Sequence, residues 1–171
     1  MTPTLYQFFH RHVQYGLRRA GLGEPETVAY VSDLLARFAH TDALYPLNDQ
    51  GRRPLTTIVQ FRVAQQAAQD MDRAREMVIV RHLAEYTLFM SSVFRERLRS
   101  RGQLAYYTDQ GRSAFGQTAD LEKNSGRARV YWRLGHDFAR VAQAVDDIRH
   151  HQLLLAAETY AQRPLAALWR R

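Results

Sequence analysis

Between Arg73 and Leu98 apolar side chains crowd nearly every direction of the helical period, through Met77, Val78, Ile79, Val80, Leu83, Tyr86, Leu88, Phe89, Met90, Val93 and Phe94. A helix apolar all round cannot lie at a water-facing surface and must be enclosed by other elements. The run Met77 to Val80 taken alone also fits a buried strand, but the length and flanks of the whole stretch favour a helix. The expected fold is therefore all-α, with one central helix and the rest of the chain wrapped around it.

The flanking segments read as helices able to do the wrapping. Thr2-Pro3 supplies a cap and a first-turn proline for a helix from Thr2 to Ala20, with Leu5, Phe8, Phe9, Val13, Leu17 and Ala20 on one face. Glu24-Pro25-Glu26 opens a second, with acids where the helix dipole favours them, an apolar face from Val28 to Phe38, and an i,i+4 pair Asp33/Arg37. The period is lost between His40 and Pro54, the longest loop. It resumes at Leu55, Ile58, Val59, Val63 and Ala67, and a break is expected near Asp70-Met71-Asp72. Arg95, Arg97, Arg99 and Arg101 lead into Gly102 as a C-terminal cap, and a helix weakened by Gly111 and Gly116 follows from Leu104 to Lys123. Tyr131, Leu134, Phe138, Val141, Val145 and Ile148 then form the most regular seam in the chain, spaced 3, 4, 3, 4, 3. Such a seam suits shallow-angle packing on a helix of the same chain or on a second copy. Further helical pieces are expected over 152–162 and after Pro164, the latter carrying Trp169. With no repeat, linker or low-complexity tract, residues 1–171 are expected to form one domain of about six to eight helices.

Composition excludes several function classes. With no cysteine there are no disulfides, thiolate nucleophiles or cysteine metal sites, which agrees with a reducing compartment, so a cytoplasmic location is expected. The N-terminus lacks the basic and apolar regions of a secretory signal. The longest strongly apolar uncharged run, Tyr86 to Phe94, falls well short of the ~20 residues that cross a bilayer, so no membrane span is expected. The formal charge is +7, and all basic residues except Lys123 are arginine. Arginine pairs well with carboxylates in planar, bidentate geometry, so the excess is as easily absorbed by intramolecular bridges as by nucleic acid.

Gly111 to Thr118 matches the phosphate-loop pattern except that Gln117 stands where lysine would neutralise phosphate, and no strands are present to frame such a loop. Asp147-x-x-His150 is a single pair where a di-metal bundle needs a repeated set. His10, His12, His136, His150 and His151 accompany no haem-binding motif, and no G-x-S-x-G elbow exists. No cofactor and no metal site is therefore expected. His82, with Arg81 and Glu85, is expected to satisfy its partners on the central helix.

One constellation stands apart. Arg37, Asp42, Arg81, Glu85, Tyr106 and Tyr107 lie in or beside strongly apolar stretches, where charges are costly unless they meet partners. They are the candidate ligand-binding residues, as one polar network that is either sealed structural glue or an open pocket beside the loop from Thr41 to Arg53.

The segments Leu34-Leu35-Ala36-Arg37-Phe38, Thr41 to Pro46, Arg81-His82-Leu83-Ala84-Glu85 with Leu88-Phe89, and Tyr106-Tyr107 with Gly111-Arg112 resemble those of a group of uncharacterised all-helical bacterial proteins. The resemblance spans roughly Val31 to Leu121. It implies an all-α fold and a bacterial origin, and no activity or catalytic residue comes with it.

Three functions remain open. The a/d seam and Trp169 point to a non-enzymatic protein that self-associates or binds protein partners, with a homo-oligomer expected. The polar network points to a small-molecule or metal-binding protein or an enzyme. The arginine excess allows nucleic-acid binding.

Overall fold

The computed structural model describes residues 3–150. Among them are eight α-helices and no strand: α1 (Leu5–Arg19), α2 (Pro25–Phe38), α3 (Ile58–Ala68), α4 (Arg73–Val93), α5 (Arg95–Ser100), α6 (Leu104–Leu121), α7 (Ala128–His136) and α8 (Phe138–Ile148). The helical pieces expected beyond Gln152, with Trp169 and His151, lie outside the described residues.

The apolar stretch takes the position its composition demands. Helix α4 packs against α2, α3, α6 and α8, and its buried face includes Ile79, Val80, Leu83, Leu88 and Phe89. Its start is held by Asp72, whose side chain accepts the backbone N–H of Arg75 at 3.0 Å, just after the chain turns through Asp70 with φ 65°. This is the break expected at Asp70-Met71-Asp72. The long central helix ends earlier than its apolar content suggested: Phe94 separates α4 from the short α5, which closes at Gly102 with φ 66°.

Helix α1 does not begin on Thr2-Pro3. Thr4 is the cap, its hydroxyl accepting the N–H of Gln7 while the Gln7 side chain accepts the N–H of Thr4 in a reciprocal box. Helix α2 starts on Glu24-Pro25 as its sequence reads, and Arg37 meets Asp33 at 2.8 Å. Thr57 caps α3 in the same reciprocal way with Gln60. The inward face of α3 is Ile58, Phe61 and Ala68; Val59 and Val63, which the period assigned to the apolar face, point outward and are 63% and 62% exposed. Phe61 filled the inward position, which rotates the two valines to solvent.

The regular seam from Tyr131 to Ile148 is two helices, not one, interrupted at Asp137. All six seam residues are buried. The interruption lets the halves face different neighbours, with α7 against α6 and α2, and α8 against α4 and α1. Close approach of α7 to α6 depends on Gly135, where a Cβ would come within 3.2 Å of the Arg112 carbonyl oxygen and 3.3 Å of the Phe115 Cβ. The seam is consumed within the chain.

Candidate functional site

On α2, residues 30, 33 and 37 follow one another at intervals of three and four, so Tyr30, Asp33 and Arg37 share a face. Val78, Arg81, His82 and Glu85 do the same on α4. These two faces, with Pro46 and Leu47 from the intervening loop and Arg127 ahead of α7, line an open groove of about 360 Å³.

Glu85 is the buried centre of the groove, its side chain 7% exposed. A carboxylate so placed must be compensated. Arg37 supplies this as a fork, Nη2 to Oε1 at 2.9 Å and Nη1 to Oε2 at 3.2 Å, and its Nε donates to Asp33 at 2.8 Å. The Tyr30 hydroxyl donates a hydrogen bond to the same Glu85 oxygen, Oε1. Burial works against the charge on Arg37, but hydrogen bonding and attraction to Glu85 and Asp33 outweigh it, so the guanidinium holds its proton more tightly than usual. Burial foremost, then the Glu85 charge and hydrogen bond, push the Tyr30 phenol well above its ordinary range. Tyr30 is thus a fixed donor, not a base.

The three neighbours on α4 do not satisfy one another as their sequence proximity suggested. Arg81 Nη1 turns instead to Glu122 beyond α6 at 3.0 Å. His82 Nε2 lies 2.9 Å from the Leu44 carbonyl oxygen, so the ring must donate there, leaving Nδ1 with a lone pair in the neutral form. Its ring sits between Phe38 and Phe61, with centroids 5.6 and 5.4 Å away. Residues three or four apart on a helix share a face but need not touch, and each of these found a better partner across the fold. Behind Arg81, the buried Tyr131 hydroxyl makes no hydrogen bond of good geometry among the described residues.

The six candidate residues therefore separate. Arg37, Arg81 and Glu85 line one groove. Asp42 is exposed on a 3-10 turn (Thr41–Leu44) and makes no ion pair among the described residues. Tyr106 and Tyr107 belong to an aromatic cluster with Tyr86, edge to face with each other and with Tyr107 and Tyr86 centroids 6.4 Å apart. The sequence reading missed Tyr30, Arg127 and Glu122. Tyr30 was detectable, since it sits on the helical face of Arg37; Glu122 and Arg127 come from a distant turn and carry no local signal.

Among the described residues no cluster of three or more histidine, aspartate or glutamate side chains is placed to hold a metal ion, and no helix is long and apolar enough to cross a membrane. No protein-family model, no curated protein and no solved structure matches the chain.

Proposed function

We propose that the protein binds a small polar ligand carrying an anionic group, a carboxylate or phosphate, in the groove between α2 and α4. The carrying observation is Arg127. It is exposed, lines the groove and makes no ion pair among the described residues, whereas Arg37 is matched by Glu85 and Asp33, and Arg81 by Glu122. A ligand anion completes Arg127, while the Asp33 carboxylate and the Arg37/Glu85 pair offer fixed polar groups for orientation. A volume of about 360 Å³ suits a small metabolite. Self-association is the weaker reading, because the seam that motivated it is buried within the same chain. Work in the cytoplasm, in a reducing setting, fits a chain without cysteine.

Thermal unfolding in graded inorganic phosphate, succinate and chloride tests this. Phosphate or succinate at 100 times its Kd should stabilise the native state by about 2.7 kcal/mol. Arg127→Ala should lose that gain while unfolding normally without ligand. Equal responses of the two proteins to every anion would sink the proposal.

A further inference from the structure

Outside the groove, Arg62 is a partly buried cation that meets no carboxylate among the described residues. It lies on α3, and three glutamines rather than an acid receive its hydrogen bonds. Three glutamines hold it: Nε donates to Gln110 at 2.8 Å, and Nη1 donates to Gln65 and Gln117, each at 2.8 Å. A guanidinium has five N–H donors. Three are used well, Nη2 has one long contact to the Gln110 carbonyl oxygen at 3.5 Å, and the fifth has no acceptor among the described residues. Amide oxygens orient a guanidinium without neutralising it. Burial accordingly makes Arg62 easier to deprotonate than a free arginine, with Tyr106 nearby only partly offsetting this.

The surroundings are apolar in a way a free surface does not require. Val59 and Val63 are one turn apart on the outward side of α3, each more than three-fifths exposed, with Arg62 between them in sequence; Tyr106 adds a 45% exposed ring from α6. Beta-branched side chains standing in water on a helix gain nothing from helix propensity. An exposed tyrosine and a fixed, uncompensated arginine are residue types enriched at interface centres, and the two valines add apolar area beside them.

We propose that the α3 and α6 face docks an acidic, aliphatic segment of another protein, which sets a carboxylate on Arg62 and aliphatic side chains on Val59 and Val63. Charge complementarity selects this occupant over a second copy, because a chain of net charge +7 repels itself. The glutamine cradle keeps the guanidinium in place before the partner arrives, which lowers the ordering cost of association.

The test is to pan a random-peptide display library against the full chain and to counter-screen the binders. Enriched peptides should combine glutamate or aspartate with leucine, isoleucine or valine. Their affinity should fall about tenfold or more, 1.4 kcal/mol, in Arg62→Gln and again in a Val59→Ser/Val63→Ser variant. Circular dichroism confirms that each variant is folded, and Arg127→Ala, in the separate groove, should bind the peptides normally. No enriched acidic peptide, affinities unchanged in Arg62→Gln, or a stable dimer formed through this face would each overturn the proposal.

Discussion

The Arg37 guanidinium grips the Glu85 carboxylate through both terminal nitrogens, joining α2 to α4 across 48 positions of sequence. Arg37 is 41% exposed and Glu85 only 7%, so the asymmetry predicts which loss hurts. Arg37→Leu strands a buried carboxylate with Tyr30 alone, and should cost about 2 kcal/mol after allowance for the exposed side of the pair. Arg37→Leu combined with Glu85→Gln should cost at least ~1 kcal/mol less than the two single changes summed. Urea unfolding of all four proteins reads this directly; strict additivity would show that the fork contributes nothing as a pair.

His82 makes stability depend on pH. Burial lowers its pKa below the ordinary 6.5, an effect that Arg37 reinforces and that the Leu44 carbonyl and Glu85 partly oppose. The unfolded chain then binds the proton before the native one does, so His82 contributes stability that is complete above about pH 6.5 and is lost as pH falls towards the native pKa. His82→Gln keeps a donor for Leu44 and removes the titration. Its urea midpoint should change less between neutral and mildly acidic pH than that of the wild type. Parallel pH profiles would remove His82 as the cause.

Two glycines of α6 should respond in opposite directions to alanine. A Cβ on Gly111 would run into the Phe138 ring and lie 2.7 Å from the Thr87 hydroxyl oxygen. Gly111→Ala should therefore destabilise the protein by about 2 kcal/mol despite better helix propensity. Gly116 has open space at the same place, and Gly116→Ala should stabilise by up to ~1 kcal/mol. Thermal unfolding of the two variants decides it, and a shared sign would contradict the packing of α6 on α8.

Asp42 should be silent. It is exposed and makes no ion pair among the described residues, so Asp42→Ala should change stability by less than ~0.5 kcal/mol. A larger loss would place Asp42 in the Arg37/Glu85 group after all.

What the chain's own order determines is the local part. Thr57 and Asp72 start helices, Gly102 ends one, and the apolar density of residues 77–94 puts α4 at the centre, because hydrogen bonds within a helix and caps join residues a few positions apart. Arg37, Arg81 and Glu85 were legible as charges needing partners, since burial of an apolar stretch drags its polar members with it. Which partners they took was not legible. In a chain where nearly every cation is arginine, many pairings with the acids are close in energy, and only the approach of distant elements selects among them. That approach gave Glu85 to Arg37 and Tyr30, gave Arg81 to Glu122, and left Asp42 in water. It also split the even seam at Asp137 and turned Val59 and Val63 outward, because one apolar period is compatible with more than one set of neighbours, and the packed whole chose among them.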